Sequence, residues 1–168
     1  LQGKLAVLQR SLSRKQKKSR NRLKAKLKVA VLHERIRNSR MDFLHQTSNK
    51  LVNNYSLIGL EDLNVKHMVE KQFGKSISDA GWNTFTNFLC YKAESAGCKV
   101  ILVNPAGTSQ ECSNCNSIVA KTLSNRIHDC NNCGLQIDRD LNSARNILNR
   151  ATSGTGECNA SGVEAIAS

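Results

Sequence analysis

The sequence predicts an α/β protein carrying a small four-cysteine lobe. Two short apolar runs flank a helical pattern, as in a strand, helix, strand unit. Four of the seven cysteines fall in two Cys-x-x-Cys pairs. The first fifty residues repeat apolar side chains at helical spacing, and neither glycine nor proline occurs between Gly3 and Gly59. With 168 residues, 39% of them hydrophobic, the chain can bury one modest core, which excludes a large multidomain enzyme.

Leu5, Leu8 and Leu12, then Leu23, Leu27, Val31, Ile36, Phe43, Leu44 and Leu51, predict helices over about 2–17 and 20–53, broken near Ser19 and Asn21. Residues 1–50 carry 15 Lys and Arg against Glu34 and Asp42, a net +13, whereas residues 51–168 carry 10 basic and 11 acidic residues. The whole excess charge is therefore N-terminal. A basic helical face, including Lys15, Lys17, Lys18, Arg20, Arg22 and Lys24, suits contact with nucleic-acid phosphates. A solvated charged helix or a membrane-surface helix is the alternative. No stretch approaches the roughly 18 apolar residues that span a bilayer, and the N-terminus lacks a signal-peptide core. A soluble intracellular protein with no membrane partner is expected. The chain opens at Leu1 with no Met before Met41, which suggests a piece of a longer protein.

Tyr55–Leu60 is a short apolar run followed by Glu61-Asp62, the pattern of a buried strand ending at a polar edge. Lys99–Asn104 is a second, stopped by Pro105. Between them Ser78-Asp79 offers an N-cap, Trp82, Phe85, Leu89, Ala93 and Ala96 share a helical face, and Gly97 can end the helix. That spacing makes Trp82 and Phe85 core residues rather than base-stacking ones. A last helix is expected over about 138–149, with Leu141, Ala144, Ile147 and Leu148 on one side. Residues 151–168 are small and polar and are expected to be disordered.

Cys112-Ser-Asn-Cys115 and Cys130-Asn-Asn-Cys133, fourteen residues apart, offer four thiolates in two knuckles, the donor set of one tetrahedral zinc. Gly134, and Asn116 at the matching place, allow the positive φ each knuckle needs. Two disulfides, or four unrelated thiols, are the alternatives. Four sulfurs leave no position open for a water nucleophile, so the ion is expected to be structural. Cys90 and Cys98 are expected to be buried as small hydrophobes. His33, His45, His67 and His128 show no paired metal spacing. Glu61 at a strand end and Asp138-Arg-Asp140 at a helix start could meet to bind a divalent cation. Taken alone, a helix-start acid is more often a cap.

Gly59-Leu-Glu-Asp-Leu63, Ser76-Ile-Ser-Asp-Ala-Gly-Trp82, Tyr91-Lys-Ala-Glu-Ser-Ala-Gly97, Thr108-Ser-Gln-Glu-Cys-Ser-Asn-Cys115, Cys130-Asn-Asn-Cys-Gly134 and Asp138-Arg-Asp-Leu-Asn-Ser-Ala-Arg-Asn146 occur in that order. Together they closely resemble the TnpB (OrfB) family of insertion-sequence transposase accessory proteins, over about residues 1–150. The resemblance implies an RNase H-like (RuvC) nuclease fold, N-terminally incomplete, with an inserted zinc ribbon. Its parts would be a basic helical segment 1–53, sheet and helices over 54–107 and 138–150, a ribbon over 108–137 and a tail over 151–168. It also implies an RNA-guided, Mg²⁺- or Mn²⁺-dependent DNA endonuclease with three catalytic acids. Glu61 would be the second and Asp140 the third, with Asp138 as the helix cap. The first lies on a strand upstream of the basic helices, and this chain starts too late to include it, so poor cleavage by these residues alone is expected.

Arg126 and Lys121, on the loop between the knuckles, would either approach the displaced or target DNA strand near the cleavage site or be solvated loop charges. The implied partners are DNA and guide RNA, with no small-molecule substrate. The implied setting is DNA recombination by a prokaryotic-type mobile element in the cytoplasm, at the nucleoid. A non-catalytic, zinc-dependent nucleic-acid-binding remnant is the competing reading, and a basic ribosomal-type protein a third that leaves Glu61 and Asp140 unexplained.

Overall fold

A computed structural model describes residues 1–65, 68, 81–122 and 124–154. The chain divides into two compact units, Leu1–Thr47 and Ser48–Ser168. The expected cap at Ser78-Asp79 and the tail from residue 155 onward lie outside the described residues.

The first unit is helical. Helix α1 covers Gln2–Ser13 and ends earlier than periodicity predicts. The run from Arg14 to Arg20 holds five like charges, and Lys18 turns the chain with a φ of 66°. Ser19 then accepts a hydrogen bond from the Arg22 amide at 3.1 Å and starts helix α2, Arg20–Asn54. Of the predicted apolar side of α2, Ile36, Leu44 and Leu51 are at least half-buried, but the N-terminal part is not. Val29, Leu32 and Leu44 are buried with Ala25 and Ile36 half-buried, while Leu23, Leu27, Val31 and Phe43 are exposed, Leu27 at 66%. Two apolar stripes lie side by side on this helix, and the one with the smaller side chains is the one buried.

The second unit is a layered α/β structure. Strand β1, Leu57–Glu61, pairs in parallel with β2, Lys99–Val103, so that Gly59 opposes Ile101 and Glu61 opposes Val103. Helix α3, Trp82–Ala96, lies between them in sequence and ends at Gly97 with a φ of 68°. Strand alternation sends Ile58, Leu60 and Val100 to one face, where Leu89, Cys90 and Ala93 of α3 and Val52 of α2 cover them. Phe85 joins this core, but Trp82 is 45% exposed at the helix start, and Ala96 is also exposed. Cys98 is buried in the same core, as expected.

Leu57, Ile101 and Val103 face the other way, onto helix α4, Arg139–Ser153. Asp138 caps α4 through its side chain, which accepts from the amides of Asp140 and Leu141. The helix continues past residue 150, and Ala151, placed by sequence in the tail, is 1% exposed against the sheet. Of the expected apolar side of α4, only Ile147 packs against the sheet. Leu141 and Leu148 are exposed and Asn142 and Asn146 are buried, because this side of the helix meets backbone carbonyls rather than a hydrophobic core.

A short antiparallel hairpin, β3 (Ile127–Asp129) with β4 (Gln136–Asp138), belongs to the cysteine lobe. No helix among the described residues is long and apolar enough to cross a membrane. A Cβ at Gly59 would lie 3.1 Å from the Ala151 Cβ and 3.2 Å from the Ile147 Cγ2. Gly59→Val should therefore push α4 off the sheet and cost about 1–3 kcal/mol, read as a lower denaturant midpoint; an unchanged midpoint would contradict this packing.

Candidate functional site

Glu61 is the last residue of β1 and shares the α4-facing side with Leu57 and Gly59. The Thr108 hydroxyl donates to its Oε1 at 2.6 Å. Asp140 stands on the first turn of α4, exposed, with the Arg139 Nε 3.3 Å from its Oδ1. Gly59 faces Ile147 and Ala151, whereas Glu61, one strand repeat further on, reaches Thr108, whose carbonyl accepts from Asn146. Moving up β1 thus means moving back along α4 toward its N-terminus. Glu61 closes β1, and Asp140 stands in the first turn of α4, the helix packed on that strand. Among the described residues, no third Asp, Glu, His or Cys joins either of them in a cluster.

The loop from β2 to the cysteine lobe is clamped along α4 by three side chains at successive turns. Asn142 donates to the Glu111 carbonyl at 2.7 Å and accepts from the Ser113 amide at 3.0 Å. Asn146 donates to the carbonyls of Thr108 and Glu111, at 2.9 and 2.7 Å. Arg150 donates to the carbonyls of Asn104 and Ala106 and pairs with Glu111 Oε2 at 2.7 Å. Sequence reasoning missed this ladder, whose signal is the i, i+4, i+8 spacing of the three residues.

The two cysteine knuckles have one backbone design. Cys112 N donates to Ser117 O and its carbonyl accepts from Asn116 N; Cys130 N donates to Leu135 O and its carbonyl accepts from Gly134 N. Asn116 and Gly134 hold φ of 61° and 71°, as predicted for these positions. The four Sγ atoms lie within 4.8 Å of one another, with Cys112–Cys133 and Cys115–Cys130 each at 3.6 Å. A tetrahedron of sulfurs at ~2.3 Å from a central zinc has edges of roughly 3.8 Å, so the donor set fits such an ion. The Ser117 hydroxyl lies 3.0 Å from Cys115 Sγ and 3.2 Å from Cys130 Sγ, a hydrogen-bonding support for two of the ligands.

Of the expected nucleic-acid contacts, Lys15, Lys17, Lys18, Arg20, Lys24 and Arg126 are exposed. Arg22 is half-buried and ties down the turn before α2, donating to the carbonyls of Leu12 and Lys15. Lys121 is turned into the lobe, donating to Ser109 O at 3.0 Å beside His128 Nδ1, and does not reach outward. His128, to which sequence gave no role, is fully buried.

Residues 1–72 match the family described as "Probable transposase", and residues 82–147 the family described as "Cas12f1-like, TNB domain". Proteins named "Putative RNA-guided DNA endonuclease", from Streptomyces pristinaespiralis and, as InsQ, from Escherichia coli K12, are 39% and 38% identical over 87% and 88% of this chain. A TnpB-like protein of Acanthamoeba polyphaga mimivirus is 33% identical over 82% of the chain, which spans 27% of that relative. The chain belongs to the TnpB family. It spans 37% and 41% of the lengths of the Streptomyces and Escherichia relatives. The solved Cas12f1–sgRNA–target DNA complex matches 87% of this TnpB-family chain and 40% of its own at a TM-score of 0.61 and 18% identity, a likeness of fold.

The Cys112 and Cys115 thiols of this TnpB-family lobe differ in acidity. Burial pushes the Cys112 thiol up to about 11. Hydrogen bonds from Ser117 and then Asn132 hold Cys115 down at about 5. A metal must therefore displace the proton that Cys112 keeps at neutral pH, while Cys115 is already a thiolate. Zn²⁺ affinity should rise about tenfold per pH unit between pH 6 and 8 for each proton displaced, measured by chelator competition; a flat profile would contradict the assigned acidities.

Proposed function

We propose that residues 1–168 are the C-terminal part of a transposon-encoded, RNA-guided DNA endonuclease. What supports this is that Glu61 closes β1 and Asp140 stands in the first turn of α4, the helix packed on that strand, in a chain of the TnpB family. On this reading β1, β2, α3 and α4 are part of an RNase H-like (RuvC) frame, and Glu61 and Asp140 are two of its three metal-binding carboxylates. The family's first aspartate is not among these residues. The four cysteines hold one structural Zn²⁺, closing a ribbon inserted between β2 and α4.

Mg²⁺ or Mn²⁺, when bound, would stabilise the attacking and leaving oxygens of an in-line phosphoryl displacement. The chain's own residues prepare for it. Asp138 occupies the amides at the α4 N-terminus, so Asp140 need not cap the helix and is available as a ligand. Arg139 beside Asp140 reduces its charge until a cation replaces that pairing. The exposed bases from Lys15 to Lys24, with Arg126, neutralise phosphates of guide RNA or DNA. Two solved relatives in fold are Cas12f complexes, one named for its sgRNA and target DNA, which supports those partners. Such a protein acts in the cytoplasm at the nucleoid, in DNA recombination by a prokaryotic-type mobile element.

A non-catalytic nucleic-acid-binding remnant is the second reading, favoured by the lack of a third clustered acid among the described residues. On the primary reading, the 168-residue chain should cleave DNA poorly or not at all with Mg²⁺ or Mn²⁺, yet bind nucleic acid with steep salt dependence. Arg126→Ala should reduce the salt slope by about one. Robust cleavage abolished by both Glu61→Ala and Asp140→Ala would show that two carboxylates suffice. Absent or salt-independent binding would overturn the nucleic-acid reading.

A further inference from the structure

We propose that Thr108 is a positioning residue for a divalent cation at Glu61, an inference that rests on the functional reading above. Thr108 is 5% exposed, and its hydroxyl has one proton to give. Two acceptors compete for that proton, Glu61 Oε1 at 2.6 Å and the Pro105 carbonyl at 3.1 Å. The shorter, charged partner takes it, because a hydrogen bond to a carboxylate is roughly twice as strong as one between neutral groups. A carboxylate held through one oxygen loses its freedom to rotate and keeps the other oxygen for a cation.

Thr108 can serve as an anchor only if it is itself fixed, and the surrounding contacts fix it. Its carbonyl accepts from the buried Asn146, which also donates to the Glu111 carbonyl. Asn142 holds that same carbonyl and the Ser113 amide next to the ligand Cys112. Arg150 holds Asn104 and Ala106 on the other side. The hydroxyl is thus carried by a segment bonded to α4, the helix that also bears Asp140. One helix determines the positions of both carboxylates, Asp140 directly and Glu61 through Thr108. Hydrogen-bond partners of metal ligands typically account for about 10–100-fold in metal affinity.

The test is Mn²⁺ binding to the zinc-loaded 168-residue chain, followed by electron paramagnetic resonance of the free ion, for the parent, Glu61→Gln, Thr108→Val and Thr108→Ser. Zinc content and unfolding midpoint are recorded alongside. Thr108→Val should weaken Mn²⁺ binding about tenfold or more at parental zinc content and midpoint, and Thr108→Ser, which keeps the hydroxyl, should restore it. Should the Val variant fail to fold, Thr108→Ala adds no atom to the site and should show the same loss. If Glu61→Gln binds like the parent, Glu61 is not a ligand, and the functional reading fails together with this inference. If Glu61→Gln loses binding while the variants lacking the hydroxyl keep it, the inference alone is wrong. Loss of zinc and Mn²⁺ together in Val and Ala, unrestored by Ser, would assign Thr108 to the fold of the lobe and also overturn the proposal.

Discussion

The second unit depends on a column of side-chain hydrogen bonds from α4 to the loop 104–113. That loop leaves β2 and runs over a helix with only an isolated bridge, Glu111 to Ile118, to pair it, so the carbonyls of Asn104, Ala106, Thr108 and Glu111 take donors from elsewhere. Asn142, Asn146 and Arg150, one per turn, supply them. An apolar helix face would leave the carbonyls of Thr108 and Glu111 desolvated at about 1–3 kcal/mol each. The column does more than satisfy them. It registers the cysteine lobe against the helix that carries Asp140, and brings Thr108 to Glu61 at the end of β1.

The four-cysteine lobe and the acidic edge have opposite physical characters. The knuckles enclose their four sulfurs in hydrogen-bonded turns, and the lobe they close has so little apolar material that a bound ion would take the place of a core. The acidic edge is open. Asp140 is exposed and Glu61 half-buried at a strand end, an arrangement that can admit a hydrated cation and a phosphate. The excess positive charge of the chain is concentrated in residues 1–50.

What was legible in the sequence followed from rules with a local cause. The two apolar runs gave β1 and β2 because a parallel strand covered on both faces carries no alternation. Asn116 and Gly134 marked the knuckle turns, and Asp138 the α4 cap, because left-handed backbone and orphan amides tolerate few residue types. The failures have more than one origin. On α4 polarity was taken as exposure, so Leu141 and Leu148 were placed inside and Asn142 and Asn146 left out, whereas the loop 104–113 presents carbonyls to that side of the helix. Lys121 was likewise placed on the surface and is turned inward. On α2, two adjacent apolar stripes made the phase of burial undecidable by periodicity. Thr108 lay within a motif that was noticed for its cysteines, and its hydroxyl acquires meaning only when the fold brings it to Glu61.

The central claim, that the α4 side-chain column holds the loop and its lobe in place, is tested most directly by amide hydrogen exchange in Asn142→Ala. The column predicts faster exchange at Ser113, whose amide loses its acceptor, and at the Gln110, Glu111 and Cys112 amides, while the β1–β2 amides stay protected. Exchange unchanged across residues 110–112 would contradict it.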